Sequence, residues 1–331
     1  MRTGLTFHNK RSLQTDCDVV RSGQRLVLDE HYVLEQRLGR GGMGDVWAAH
    51  RERDGQPVAI KILHPHLLDL VGRVEREAEV LMRLPEGCAP SLFAYGCSEN
   101  GEICLVMERL YGEDLARRLT RPHVMPVWEA LTIVTGIAHV LDQAHDMGIV
   151  HRDLKPSNVF LCESSHSVFT LRVLDFGIAH LTTASMNEPL THDGEFVGSP
   201  GYLAPEQVLD MDCEIGPHTD VFGLAALAYR LFTGHPAFRC RSYAEAAFQA
   251  AYSQPARASG VREDLPESLD EVLGQALSKS PSERPARAGA LAAALADALA
   301  STDDAPTLVR PTTQAAFRCT DVARDRGRAA S

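Results

Sequence analysis

The segment 151–158, with the sequence HRDLKPSN, limits the fold of this 331-residue chain more than any other feature. It places a carboxylate, an ammonium group and an amide within six positions, from Asp153 to Asn158. The triplet Asp175-Phe176-Gly177 follows, with its carboxylate seventeen residues after Asn158. An eight-residue combination of this kind is far from chance. By contrast, 44% hydrophobic and 23% charged residues are average values that exclude only disordered, collagenous and coiled-coil chains.

A glycine-rich segment, GRGGMG at residues 39–44, fits the pattern G-x-G-x-x-G. The same spacing occurs in dinucleotide-binding folds, where the last glycine opens a helix. Here residues 45–49 continue as a strand instead, and a hairpin with glycines at its tip can lay backbone N–H groups over phosphates. Lys61 ends the strand-like run VAIK seventeen residues after Gly44, so its ammonium group could reach phosphate oxygens beneath the loop.

Hydrophobic periodicity predicts a β-rich first part and a helical second part of the chain. Short apolar runs separated by turn signals predict strands at 58–63, 92–97, 103–110, 158–161 and 171–174. Apolar residues at helical spacing predict helices at 71–84, 127–145, 221–232, 244–252, 269–277 and 288–299. Residues 1–30 are predicted to be a polar N-terminal arm and residues 301–331 a disordered tail.

The order of these motifs resembles that of serine/threonine protein kinases, most closely the bacterial eukaryotic-like (Hanks-type) branch with GRGGMG-type loops. The resemblance includes GSPGYLAPE at 198–206 and KSPSERP at 279–285. It implies an α+β, two-lobed protein-kinase fold over residues 31–300. A small β-rich N-lobe would occupy about residues 31–110, and a larger, mostly α-helical C-lobe about residues 111–300.

For ATP, the resemblance implies a site made by the glycine-rich loop, the neighbouring strands and the hinge between the lobes. Its residues are Leu38, Gly39, Gly41, Gly44, Val46, Ala59, Lys61, Glu77, Met107, Glu108, Leu110 and Phe160. Lys61 would bind the α- and β-phosphates and would be held by Glu77, with Glu75 and Glu79 of the same helix as alternatives. Arg109 is an unusual residue for the hinge and is expected to alter nucleotide fit.

The adenine ring would lie between the lobes, as the resemblance implies. Met107 would be the gatekeeper residue beside it. Glu108 and Leu110 would offer backbone groups to the ring, and Ala59 and Phe160 would enclose it from the two sides.

For phosphoryl transfer, the resemblance implies Asp153 and Lys155 as catalytic residues. Asp153 would orient the substrate hydroxyl, and Lys155 would neutralise charge on the transferred group. Asn158 and Asp175 would supply oxygen ligands to Mg²⁺, with Mn²⁺ possible in its place. Lys155 also favours serine/threonine specificity, because tyrosine kinases usually carry an alanine in that stretch.

Three further roles follow from the resemblance. Glu206 is expected to pair with Arg284, and Asp220 to brace the catalytic loop. Arg152 indicates control by phosphorylation of the segment between Gly177 and Ser199, since a phosphate there would pair with the arginine. The candidate sites are Thr182, Thr183, Ser185 and Thr191, of which Thr191 fits best. The alternative is that this segment is a solvated linker that needs no switch.

The expected function is therefore transfer of the γ-phosphoryl group of ATP to serine or threonine hydroxyls of proteins, with autophosphorylation and a role in signalling. A pseudokinase that binds nucleotide or partners without transfer is the main alternative. Intact Lys61, Asp153, Asn158 and Asp175 argue against it, since inactive relatives usually lose at least one of them. A small-molecule phosphotransferase is disfavoured because such enzymes usually lack the Ala204-Pro205-Glu206 triplet.

Charge and cysteine content limit the partners and the compartment. The net charge of −11 disfavours sequence-independent nucleic-acid binding, which needs a basic face. No run of about 18 apolar residues is present, and the eight scattered cysteines are typical of a cytoplasmic protein. The expected partners are ATP and protein substrates, without nucleic acid or membrane, and a homodimer could support autophosphorylation in trans.

Overall fold

The computed structural model describes residues 22–41, 44–64, 71–163, 170–176, 200–209, 215–240 and 242–300, apart from the side chains of Val71, Arg73, Val74 and Tyr243. In the first part of the chain, six antiparallel strands form one sheet in the order β1-β2-β3-β4-β6-β5. Helix α1 packs against β5 and β6. The elements of this N-lobe are β1 (Arg25–Val27), β2 (His31–Arg40), β3 (Gly44–Arg51), β4 (Pro57–Leu63), α1 (Val71–Arg83), β5 (Leu92–Cys97) and β6 (Ile103–Glu108).

The second part is mainly helical and contains one small sheet, β7-β8-β9. Its elements are β7 (Gly112–Asp114), α2 (Leu115–Arg118), α3 (Val127–Asp146), β8 (Val159–Cys162), β9 (Thr170–Val173), α4 (Pro205–Val208), α5 (Pro217–Thr233), α6 (Tyr243–Tyr252), α7 (Ala258–Val261), α8 (Glu267–Ala276) and α9 (Ala288–Ala300). Helix α5 lies at its centre and packs against α3, α8 and α9. These bounds agree with the predicted helices to within a few residues, and the predicted α+β, two-lobed architecture is confirmed.

The two faces of the N-lobe sheet bury different sets of residues, because side chains alternate along a strand. Ile60 and Ile62 of β4 face an outer apolar cluster with Val106 of β6. Leu105 of β6 faces the opposite way, into the larger core that includes α1. Lys61 lies between the two isoleucines and therefore points toward the α1 side of the sheet, where its ammonium group meets other charged residues.

The prediction that residues 1–30 form an arm outside the core is wrong for β1. Leu26 of this short strand is fully buried and packs in the outer cluster with Tyr32 and Leu34. The strand pairs with β2, with Leu26 opposite Tyr32. One buried leucine in a three-residue strand gives no alternating pattern of the length that indicates a strand. Residues 1–21 and the predicted tail at 301–331 lie outside the described residues.

The longest helix of the described part is α3, with 20 residues. Within the described ranges, no helix is both long and apolar enough to span a bilayer.

A buried ion pair joins two distant segments of the C-lobe. Arg284 Nη1 donates to Glu206 Oε1 at 2.7 Å and Nη2 donates to Oε2 at 2.9 Å, with both side chains fully buried. Burial disfavours the Glu206 carboxylate, but the hydrogen bonds and the charge of Arg284 outweigh burial and lower its pKa. Thr219 Oγ1 also donates to Oε1, at 2.9 Å. The pair expected from the sequence is therefore present.

Replacing Arg284 by alanine is expected to lower the free energy of unfolding by about 3–5 kcal/mol, because the Glu206 carboxylate then stays buried without its counter-charge. Urea denaturation at neutral pH measures this loss. Arg287→Ala is the matched control. Its side chain is 52% exposed and pairs with Asp146 at the surface, so a much smaller change is expected. Equal losses in the two variants would contradict the assignment of Arg284 as a buried structural cation.

Candidate active site between the lobes

Lys61 is the charged centre of the cleft between the lobes. Its Nζ donates to Glu77 Oε1 of α1 at 3.0 Å and to Asp175 Oδ1 at 2.9 Å. Of the three glutamates considered for this contact, Glu77 is the one that lies against Lys61. Helix α1 buries Glu77 next to Ala78, so the same helical face supplies both the carboxylate and the apolar packing.

Burial and the neighbouring charges act in opposite directions on the pKa values of Lys61, Glu77 and Asp175. Burial disfavours the Lys61 ammonium, but the charges of Asp175 and Glu77 outweigh burial and raise its pKa above the ordinary value. Burial also raises the pKa of Glu77, and Lys61 only partly compensates. The charge of Lys61 lowers the pKa of Asp175. Lys61 is therefore a cation at neutral pH, shared by two carboxyl groups.

Asp220, near the start of α5, holds the backbone of residues 151–152. Its Oδ2 accepts from the His151 N–H and its Oδ1 from the Arg152 N–H, both at 2.8 Å. His145 Nε2 of α3 lies 2.7 Å from Oδ2. Arg152 has a φ of 68°, a backbone conformation that is costly for a residue other than glycine. The buried carboxylate compensates this cost, as the predicted bracing role requires.

Asp153, Lys155 and Asn158 form one hydrogen-bonded group directly after this braced backbone. Lys155 Nζ donates to Asp153 Oδ2 at 2.7 Å. Asn158 Nδ2 donates to the Asp153 carbonyl at 2.8 Å and to its Oδ2 at 3.1 Å. Because the amide nitrogen of Asn158 is used in this way, its amide oxygen is the atom that can bind a cation.

Asp175 is joined to the same group through the backbone. The Leu174 N–H donates to the Asn158 carbonyl at 2.8 Å. His151 Nε2 lies 2.9 Å from the Leu174 carbonyl, and the His151 ring meets the buried Phe176 ring edge-on at 4.7 Å. The side chain of Asp175 itself is 45% exposed, and its φ is 56°. One carboxylate oxygen contacts Lys61, and the other is available to a cation in the cleft.

The glycines of the loop before β3 are under different constraints. A Cβ atom at Gly44 would lie 2.2 Å from the Ile62 carbonyl oxygen of β4, so only glycine allows these strands to approach. Gly39 has no heavy atom within 4 Å of such a Cβ, and Gly41 has only the Gly44 carbonyl at 3.6 Å. The backbone at Gly39 and Gly41 is therefore open to a ligand, whereas Gly44 has a structural role that the motif did not reveal.

The residues predicted to contact adenine lie near the point where the N-lobe sheet meets the linker between the lobes, defined as residues 108–111, from the end of β6 to the start of β7. Ala59 pairs with Met107 across β4 and β6. The Glu108 N–H donates to the Ser91 carbonyl at 2.8 Å, which leaves the Glu108 carbonyl as the group that can face a base. Four other residues predicted for the ATP site are half-buried or exposed: Leu38, Val46, Leu110 and Phe160.

Comparison with known proteins identifies the family. The sequence matches the protein kinase domain family over residues 32–296. The chain belongs to the protein kinase family. The resemblance to the bacterial branch of serine/threonine kinases, predicted from the motifs, is confirmed by its relatives.

Two curated relatives and one solved structure illustrate the similarity. Serine/threonine-protein kinase pkn2 of Myxococcus xanthus is 37% identical over 217 residues, covering 64% of this chain and 25% of the relative. PkaA of Streptomyces coelicolor is 37% identical over 254 residues, covering 71% and 44%. The crystal structure of the PknI kinase domain of Mycobacterium tuberculosis, a double mutant, has 28% sequence identity and a TM-score of 0.64, covering 85% of this chain and 99% of that one. The chain spans less than half of the length of these curated relatives.

Part of the predicted site lies outside the described residues of this kinase. The segment from Gly177 to Ser199 does so, and it contains the phosphorylation candidates Thr182, Thr183, Ser185 and Thr191. Arg152, the predicted phosphate partner, is half-buried, and burial lowers its pKa.

Two contacts near the site were missed by sequence reasoning. Gln207 Nε2 donates to the Arg152 carbonyl at 2.6 Å, and Arg109 donates to Glu35 at 2.9 Å. Both contacts join residues far apart in sequence, so no local pattern could indicate them.

Replacing Lys61 by methionine is expected to destabilise the kinase more at pH 7.5 than at pH 5.5. The folded pKa of Glu77 is already raised, and it rises further without the ammonium group, so Glu77 binds its proton more tightly in the folded state. Stability is then retained at low pH and lost as pH rises through the folded pKa. The loss near neutral pH should be about 3–5 kcal/mol, as for a broken buried pair.

Thermal unfolding at the two pH values measures this difference. The double variant Lys61→Met/Glu77→Gln serves as control: it removes the Glu77 carboxylate and leaves Asp175 unchanged, so its stability should depend less on pH than that of Lys61→Met. An equal loss of stability at both pH values in Lys61→Met would show that Glu77 is not the group responsible.

Proposed function

We propose that the protein is an ATP-dependent serine/threonine protein kinase that transfers the γ-phosphoryl group to hydroxyls of protein substrates. The observation that carries this proposal is the Lys61 ammonium shared by Glu77 and Asp175, at 3.0 and 2.9 Å. Backbone contacts join Asp175 to the group formed by Asp153 and Asn158. These contacts support a phosphate-binding role for Lys61 and a hydroxyl-orienting role for Asp153 in one cleft. The relatives pkn2 and PkaA, both serine/threonine-protein kinases by name, support the serine/threonine class.

The residues of the cleft fit a nucleotide with a divalent cation. Asn158 and Asp175 offer two hard oxygen ligands, and Mg²⁺ typically binds through one or two protein carboxylates plus phosphate oxygens and water. Within the described ranges, no cluster of three or more His, Cys, Asp or Glu side chains could hold a metal ion without the nucleotide. We propose Mg²⁺, with Mn²⁺ able to replace it. When bound, the ion would neutralise charge on the phosphates.

The chain's own residues would orient the reactants. The Asp153 carboxylate would accept a hydrogen bond from the attacking hydroxyl and hold it in line with the phosphoryl group. Lys155, which contacts Asp153 at 2.7 Å, would stabilise negative charge on the transferred group. Such a reaction depends on positioning and charge stabilisation more than on covalent help from the protein. At the linker, the Glu108 carbonyl and the Leu110 N–H would bind the adenine edge.

We infer that Thr191 is autophosphorylated and that its phosphate pairs with Arg152, within a transient homodimer. A signalling role in the cytoplasm, without nucleic-acid or membrane partners, agrees with the acidic composition and the average hydrophobicity. Nothing in the relatives or the cleft favours the pseudokinase alternative, since Lys61, Asp153 and Asp175 are all in place.

Incubation with γ-labelled ATP and MgCl₂ should label the protein itself and a generic basic protein substrate. Asp153→Asn keeps the shape of the side chain but removes its charge, so the rate should fall about a hundredfold to ten-thousandfold, the usual contribution of a positioned general base. A wild type that takes up no label, yet is stabilised by ATP against thermal unfolding, would favour the pseudokinase. Equal labelling of wild type and variant would remove Asp153 from the proposed role.

Phosphopeptide mapping of the labelled protein should find Thr191 modified, and the Asp153→Asn protein should lack this modification. Thr191→Ala should then lower transfer to the basic substrate, because Arg152 loses its anionic partner. Labelling confined to the threonines of the C-terminal segment would contradict the proposed switch. Those threonines are Thr302, Thr307, Thr312 and Thr313.

A further inference from the structure

An unusual set of contacts surrounds Arg109 in the middle of the linker between the lobes. Arg109 Nη1 donates to Glu35 Oε2 of β2 at 2.9 Å. The other oxygen of that carboxylate, Oε1, lies 3.1 Å from His50 Nδ1 of β3. The Arg109 guanidinium also lies over the Tyr111 ring, 5.4 Å from its centroid. One arginine thus contacts the N-lobe sheet on one side and the start of the C-lobe on the other.

The anchors of Arg109 belong to different lobes. Glu35 lies on β2, the strand that continues into Leu38 and the glycine-rich loop. The Tyr111 carbonyl accepts from the Glu163 N–H at 2.9 Å, directly after β8 of the C-lobe. The contacts among Glu35, Arg109 and Tyr111 therefore resist separation of β2, which leads into the glycine-rich loop, from β8 of the C-lobe.

The neighbouring linker residue is fixed from the other side. The Glu108 N–H donates to the Ser91 carbonyl at 2.8 Å, and the Glu108 carboxylate accepts from the Ser91 N–H at 3.2 Å. Ser91 precedes β5, at the edge of the sheet away from β2. The Arg109 pair with Glu35 supplies the second restraint, on the β2 side. The two restraints together fix the direction in which the Glu108 carbonyl and the Leu110 N–H point.

Charge and burial support a persistent pair. The side chain of Arg109 is 17% exposed and that of Glu35 38%, so the pair is partly shielded from water. Fully exposed pairs, by contrast, typically gain little stability. Hydrogen bonds from His50 and Arg109 lower the pKa of Glu35, so it is ionised at neutral pH. The planar guanidinium can bind a carboxylate and lie against an aromatic ring at the same time, which a lysine ammonium cannot do as well.

We propose that the Glu35–Arg109 pair, held between His50 and Tyr111, positions the linker for adenine and thereby sets the affinity of the cleft for nucleotide. This inference rests on the proposed ATP-dependent function. Glu35 and Arg109 are positioning residues, because their side chains act through the backbone of Glu108 and Leu110. Their loss changes nucleotide binding while the groups that carry out transfer, Asp153 and Lys155, stay in place.

The test uses Glu35→Gln and Arg109→Met, which keep side-chain volume and remove one charge each. The apparent KM for ATP, with a basic protein as substrate, should rise threefold to tenfold in either variant, with kcat within twofold of wild type. The Kd of a fluorescent N-methylanthraniloyl-ADP with MgCl₂ should rise by the same factor. Arg109→Lys keeps the charge without the planar group, so its KM should lie between those of the wild type and Arg109→Met.

The double variant and a matched control separate positioning from general stability. Glu35→Gln/Arg109→Met should be no worse than either single variant, because both changes break one contact. Glu52→Gln removes a similarly exposed carboxylate that pairs with Arg25 of β1. It should leave KM and Kd unchanged. The melting temperature should change little in this control and in the test variants.

The outcomes separate this inference from the proposed function. A wild type that transfers phosphate, with variants whose KM and Kd do not change, overturns the inference alone. Additive effects in the double variant also overturn it. A wild type that binds the fluorescent ADP but transfers no phosphate contradicts the proposed function, and weaker binding by the variants would still support the inference. A wild type that binds no nucleotide overturns both.

Discussion

The buried carboxylate of Asp220 is the interaction on which the geometry of the cleft depends. Two successive backbone N–H groups, of His151 and Arg152, donate to its two oxygens at 2.8 Å. A buried carboxylate is costly unless its oxygens are satisfied, and these donors together with His145 satisfy them. The same contacts hold Arg152 in the left-handed region. The backbone at His151 and Arg152 is therefore fixed in the conformation that brings Asp153 to the cleft.

Electrostatic balance explains why the charged side chains can lie so close together. Lys61 is surrounded by Glu77 and Asp175, and Lys155 contacts Asp153. Each carboxylate thus has a cation within hydrogen-bonding distance, which lowers the cost of desolvating it. Lys61 belongs to the N-lobe and Asp175 to the C-lobe. Their contact links the two halves by charge, while Glu35 and Arg109 link them at the linker.

Motif spacing predicted the charged residues of the cleft, because the position of a carboxylate or an ammonium group within a motif can be read from the sequence. Lys61 and Asp153 are examples, and helix periodicity located α3 and α5. Other features depend on contacts between distant positions and could not be predicted in this way. Leu26 is buried only because β1 adds to the edge of the sheet. Glu35 and Arg109 are 74 positions apart, and neither lies in a motif that indicates the other.

The close approach at Gly44 has a consequence for how such a chain can diverge. Among the described residues, a Cβ at Gly39 meets open space and one at Gly41 makes only an ordinary contact with the Gly44 carbonyl. A copy released from selection for nucleotide binding could therefore replace either glycine and still fold. A Cβ at Gly44 would lie 2.2 Å from a backbone oxygen of β4 and would push two central strands apart. Mutation without selection would therefore replace Gly39 and Gly41 and retain Gly44. The glycines of this one motif are therefore kept by two different constraints, ligand binding at Gly39 and Gly41 and strand packing at Gly44.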